Sequence, residues 1–289
     1  MRRVGAVIHP SRDVSEPLGR LTTWAERRGV EVGQVSVLGE EPTVASATDP
    51  EDCDVLVAIG GDGTVLGALR VAAPVDRPVL GVAYGSLGAL ATTRPEGLAS
   101  SLDAFADGNW TARSIEALEI RPDVGETRHV LNDLVVVRAG AGQVLIAIEA
   151  DGEHYAAFGG DGLIAATQAG SSAYTFAAGG PLLAPGTEAF VLTPLAPHGG
   201  SIRPLVLGRD STVRVEVEPG YGGARAELDG QPTILGATAF ALTMKPGHAT
   251  LVEVGAEEAP LAGLRRRGIL ADSPRIVARE GRGREGVGG

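Results

Sequence analysis

The stretch Ala58-Ile59-Gly60-Gly61-Asp62-Gly63-Thr64 constrains this chain more than any other. It follows an apolar run over residues 54–59 that reads as a buried strand. It precedes Val65-Leu66-Gly67-Ala68-Leu69-Arg70, which reads as the start of a helix. A strand that ends in glycines around one carboxylate and then enters a helix presents backbone N–H groups to an anion. Gly60, Gly61 and Gly63 admit positive φ and let a phosphate come close to the chain. Asp62 is then the one ionisable group at the turn, placed to accept a proton or help hold a metal ion, and phosphoryl transfer needs those parts. The plainer reading of the same residues is a tight turn in which Thr64 caps the helix. Leu66 stands where the third glycine of a dinucleotide fingerprint would fall. Walker-loop and protein-kinase sites need a lysine, and Lys245, followed by Pro246, is the only one in the chain. Those classes are excluded.

The flanking sequence places the turn in an α/β domain. Residues 4–8 read as a strand, 14–28 as a helix with Leu18, Leu21, Trp24 and Ala25 on one face, and 30–37 as a strand. After the turn come a strand over 78–83 and a helix over 95–107. Strands alternating with helices predict an open, mostly parallel sheet covered on both faces over residues 1–110. Ligands of such sheets sit beyond the carboxyl ends of the strands, where Asp62 falls.

From residue 111 to 254 the strands come mostly without helices, which predicts a second, β-rich domain. Val213, Val215 and Val217 alternate, as do Phe240, Leu242 and Met244. Asp151-Gly152 reads as a hairpin turn between strands over 144–148 and 155–158. One helix is expected from Ser171-Ser172 through Ala178. Residues 255–289 form a C-terminal segment whose Gly/Arg/Glu-rich end, 279–289, is expected to be disordered. No apolar run is long enough for a membrane span, the N-terminus does not read as a signal peptide, and the lone Cys53 fits a reducing cytoplasm. A net charge of −11 argues against a nucleic-acid surface, though not against a nucleotide bound by backbone N–H groups. No pair of the five histidines has zinc-ligand spacing in sequence.

A second block of motifs resembles the NAD kinase family. Gly60-Gly61-Asp62-Gly63-Thr64 alone is shared with diacylglycerol and sphingosine kinases and, more loosely, phosphofructokinases. The longer run Gly160-Asp161-Gly162-Leu163-Ile164, Gly170-Ser171-Ser172-Ala173-Tyr174 and Ala178-Gly179-Gly180-Pro181 decides among them. Leu192-Thr193-Pro194-Leu195-Ala196-Pro197-His198, Arg203-Pro204-Leu205 and Asp229-Gly230-Gln231 continue it, and Asn132-Asp133 sits where the family has an Asn-Glu pair. The resemblance implies a two-domain, cytoplasmic kinase that moves the γ-phosphoryl of ATP, with Mg²⁺, to the adenosine-ribose 2′-hydroxyl of NAD. It implies Asp62 as general base and Gly60, Gly61, Gly63 and Thr64 as the phosphate-binding turn. It also implies Asn132, Asp133, Asp161, Ser172, Ala173, Tyr174 and Ala89 around the acceptor, and a homo-oligomer built through the β domains. Five departures bear on the acceptor: Ala83 for asparagine, Ala89 for phenylalanine, Gln168-Ala169 for Pro-Thr, Asp133 for glutamate and Ala177 for serine. They leave two further readings, a relative that phosphorylates another hydroxyl-bearing compound such as a nucleoside or sugar, and a nucleotide-binding sensor. Intact Asp62 favours a kinase over a sensor.

Overall fold

The computed structural model describes residues 1–37, 42–234, 237–255 and 259–277. Strands β1 (Arg3–Ile8), β2 (Glu31–Gln34), β3 (Val55–Gly60) and β4 (Val79–Ala83) pair in parallel in the order β2-β1-β3-β4. Helices α1 (Ser15–Arg28) and α3 (Leu98–Ala106) lay Leu21, Trp24, Leu98 and Leu102 against Val55, Val57 and Ile59. Helix α2 (Asp62–Ala72) lays Leu66 and Leu69 against Leu56 and Ala58 on the other face. Successive strand residues point to opposite faces, so a strand covered on both must be apolar throughout; β3 is buried at every position.

The rest of the chain is mainly antiparallel. Its strands are β5 (Thr111–Pro122), β6 (Arg128–Val130), β7 (Asp133–Arg138), β8 (Val144–Ala150), β9 (Glu153–Gly160), β10 (Gly162–Ala166), β11 (Ala189–Leu195), β12 (Leu205–Gly208), β13 (Thr212–Glu218), β14 (Ala224–Leu228), β15 (Gln231–Thr233) and β16 (Ala239–Glu253). One sheet runs β12-β11-β10-β7-β14-β15. The other runs β16-β13-β8-β9, with β5 on β16, and it continues into the parallel array where Leu251 of β16 pairs with Val79 of β4. Phe158, Phe190, Leu192, Val215, Phe240 and Leu242 fill the space between the two sheets. The Asp151-Gly152 hairpin forms as the sequence suggests, with φ of 52° and 83°.

Two sequence expectations change. The helix expected from Ser171 through Ala178 is a 3₁₀ turn, Gly170–Ser172, followed by a single helical turn α4 (Tyr174–Ala177). Ala173, at φ −104° and ψ −118°, separates the two pieces. Helix α2 starts at Asp62 itself, so Thr64 lies inside the first turn and makes no side-chain cap bond. The segment 279–289 lies outside the described residues. A short helix, α5 (Pro260–Arg266), follows β16. No helix among the described residues is long and apolar enough to cross a membrane.

Candidate active site

The carboxyl end of β3 delivers Asp62 to the first position of α2, facing the loop that leaves β4. Asp62 accepts three backbone hydrogen bonds from that loop. Ala89 N–H donates to Oδ2 at 2.8 Å, and Leu90 and Ala91 N–H donate to Oδ1 at 2.9 and 3.0 Å. A carboxylate offers about four lone-pair positions. The three bonds therefore leave Oδ2 with the remaining one. Gly88 makes this approach possible, since a Cβ there would stand 1.9 Å from Asp62 Oδ1.

The glycines of the turn serve space rather than backbone strain. Gly61 has φ −93°, and neither Gly60 nor Gly63 has a positive φ, which corrects the expectation that the turn needs left-handed backbone. A Cβ at Gly61 or Gly63 would meet nothing within 4 Å, so both leave open room beside the helix N-terminus. Gly60 is different, because a Cβ there would fall 2.2 Å from Thr64 Oγ1.

Asn132 and Asp133 sit at the start of β7 and are anchored from two sides. Asp229 occupies a two-residue hairpin turn with Gly230, at φ 49° and 75°. Its carboxylate accepts the N–H groups of Leu131, Asn132 and Asp133 at 3.1, 2.7 and 3.2 Å. On the other side Thr167 donates its N–H to Asn132 O at 2.9 Å and its hydroxyl to Leu131 O at 2.7 Å. Leu131 shares a core with Val65, Leu66, Leu90 and Ala91, which joins the Asn132 strand end to α2 and the Asp62 loop. Burial, followed by the charges of Asp229 and Glu227, pushes Asp133 up to about 7. Burial also raises Asp229, against the pull of its three N–H donors.

The turn after β10 completes this side. Ser171 is fully buried, donates to Gln168 O at 2.6 Å and accepts from Leu183 N–H at 3.0 Å, a structural role. Ser172 is half-buried and bonds Ala169 O, while Ala173 is exposed. Asp161 lies elsewhere. It pairs with Arg138 at 2.6 Å and, with Tyr174, Leu195 and Arg225, lines an open cavity of about 600 Å³ that includes neither Asp62 nor Asn132. Gly162 beside it reflects close strand packing, since a Cβ would stand 2.1 Å from Val136 O.

Ala89, expected from the sequence around the acceptor with Asn132 and Asp133, instead gives its N–H to Asp62. Sequence alone assigns no site role to Gly88, to Asp229 (named there only within the Asp229-Gly230-Gln231 motif) or to the two arginines that bond the Asp62 loop, Arg113 and Arg266. Nothing in the local sequence marks the arginines. Of the departures, Ala83 is 1% exposed and belongs to the core of the parallel sheet, so its methyl does not line an open site. The histidines His129 and His248 are far apart in sequence yet stack with ring centroids 4.4 Å apart. Burial lowers His248 to about 4, with help from His129 and Lys245. Among the described residues no group of three or more metal-type side chains gathers.

Comparisons with known proteins show what the chain is similar to. The ATP-NAD kinase N-terminal domain matches residues 14–110 and the ATP-NAD kinase C-terminal domain matches 131–239. An NAD kinase of Chlorobaculum tepidum is 33% identical over 254 residues, which are 85% of this chain and 89% of that one. An NAD kinase of Desulforamulus reducens is 32% identical, covering 93% of this chain and 94% of its own. Among solved structures, a yeast NADH kinase complexed with NADH shares the fold with a TM-score of 0.79 at 22% identity, covering 94% of this chain and 89% of that one. An NAD kinase from Archaeoglobus fulgidus in complex with ATP gives 0.73 at 25% identity, covering 93% and 100%. With both domains matched in order and relatives aligned over most of its length, the chain belongs to the NAD kinase family.

Proposed function

We propose that the chain transfers the γ-phosphoryl group of ATP to the adenosine-ribose 2′-hydroxyl of NAD. The observation that carries this reading is the Asp62 carboxylate, held by three N–H groups with one position left on Oδ2, beside the open space at Gly61 and Gly63. In that space phosphates reach the N-terminus of α2, whose unpaired N–H groups and dipole favour anions. Asp62 Oδ2 takes the proton of the attacking hydroxyl as the phosphoryl group moves across. Asn132, Asp133, Ser172 and Ala173 hold the adenosine, and Asp161 and Tyr174, which line a cavity of their own, take another part of the acceptor. Ala89 contributes its backbone N–H to the Asp62 cradle.

Mg²⁺ would arrive on the ATP phosphates and take most of its ligands from phosphate and water, which suits a site where, among the described residues, no cluster of metal-type side chains gathers. When bound it would neutralise charge on the phosphoryl oxygens. A homo-oligomer built through the β-rich half belongs to the same reading and is checked by light scattering.

The test is incubation of the purified chain with Mg-ATP and NAD, with products identified by mass spectrometry. NADP is expected, and Asp62→Ala should lower turnover about 10²–10⁴-fold. Formation of ADP with a phosphorylated product from another acceptor, and none from NAD, would overturn the choice of acceptor. Binding of ATP without any turnover would overturn catalysis.

A further inference from the structure

We infer that Arg113 and Arg266 are positioning residues that act on Asp62 through two peptide groups, without touching its carboxylate. Among the described residues Asp62 has no ion pair. The arginines sit one peptide unit away. The Gly88–Ala89 peptide gives its N–H to Asp62 Oδ2 at 2.8 Å and takes Arg266 Nη2 on its carbonyl at 3.3 Å. The next peptide, Ala89–Leu90, gives its N–H to Asp62 Oδ1 at 2.9 Å and takes Arg113 Nη1 on its carbonyl at 3.0 Å. Arg266 also donates to Leu87 O.

In a trans peptide the C=O and N–H point in opposite directions. A cation on the oxygen and a carboxylate on the hydrogen therefore fix the plane at both ends, and they polarise it so that each bond strengthens the other. Two such planes in succession hold Asp62 Oδ1 and Oδ2 at set positions. They also spread positive charge toward the carboxylate while leaving the last lone pair of Oδ2 open.

The two cations come from separate parts of the chain. Arg113 stands on β5 and is itself held by Glu253 of β16 at 3.3 Å. Arg266 is in the last turn of α5, beyond the residues that the two family domains match. That helix has a defined end. Gly268, at φ 74°, donates to Arg265 O at 2.9 Å, and Ile269 N–H donates to Leu264 O at 3.0 Å. This pair of bonds is a Schellman end, and Leu264 beneath it is 3% exposed. The C-terminal segment thus delivers a charge to the back of the catalytic loop.

This inference rests on the reading of Asp62 as the base, so the two are tested in one double-mutant cycle. Arg266→Ala should lower kcat about ten- to hundredfold, the loss of charge-assisted bonds, while the KM for ATP and NAD stays within about threefold. In an Asp62→Ala background the same change should have no further effect on the residual rate, because its route of action is gone. Arg266→Lys should recover part of kcat, and added guanidinium should partly rescue Arg266→Ala. If Arg266→Ala does not fold, Arg266→Lys is carried through the same cycle. Arg266→Ala with unchanged kcat beside an inactive Asp62→Ala overturns the inference alone, as do additive losses in the double variant. Full turnover in Asp62→Ala overturns both readings.

Discussion

Replacing Asp133 by asparagine should make the protein more stable at pH 8 and change little at pH 4. Asp133 is 6% exposed, and its neighbours Asp229 and Glu227 are both acidic. In the fold its carboxyl is raised from 3.8 to about 7. Between those values the unfolded chain releases the proton while the fold retains it. The folded state then binds more protons, so stability falls as pH rises through this window. The contribution is complete below 3.8 and is lost above about 7. At 1.36 kcal/mol per unit, the whole loss is about 4 kcal/mol. Asparagine keeps the shape without the charge, and it also relieves Asp229. The variant should therefore unfold about 5–10 °C later than the parent at pH 8, and the gap should close as pH falls to 4. Thermal melts of both proteins at several pH values read this directly. Parallel curves with no pH-dependent gap would refute the burial argument. The same variant reports on binding: if Asp133 accepts a hydrogen bond from the acceptor's base, its KM for NAD should rise while kcat changes less.

Gly88→Ala puts a Cβ 1.9 Å from Asp62 Oδ1, so turnover should drop while far-ultraviolet circular dichroism is unchanged. Gly63→Ala adds a methyl in open space within α2; it should stabilise the fold by up to about 1 kcal/mol and raise the KM for ATP, measured by melts and initial rates. Ala83→Asn buries an amide in the sheet core; urea unfolding should show a loss of about 1–3 kcal/mol with no gain in NAD use. Asp62→Asn turns an amide NH₂ toward backbone N–H donors, so it should lose loop order as well as basicity, seen as faster hydrogen exchange at residues 89–91.

What the sequence reveals and what it hides divide along a physical line. Elements governed by local periodicity are legible: β3 reads as buried because every residue from Val55 to Ile59 is apolar, and the Asp151-Gly152 hairpin reads from its turn chemistry. The glycine turn is legible as a candidate site, but not the way Asp62 is held, because the donors come from a loop 27 to 29 residues away. Local pattern also overstates the helix after Ser171. Gly170 must pass so close to Asn132 O, 2.1 Å from where its Cβ would be, that packing rather than propensity sets the backbone there. Ala83 shows the same limit in reverse. Aligned against a family motif it reads as a lost polar contact, yet β4 alternates its side chains between two apolar faces and position 83 falls on one of them. Arg113 and Arg266 carry no local signal at all, since their significance lies in carbonyls 24 and 178 residues distant. A motif can name the carboxylate proposed to do the chemistry. The backbone dipoles that hold that carboxylate, and the cations behind them, are set only when β16 returns to β4 and carries α5 back to the loop beside Asp62.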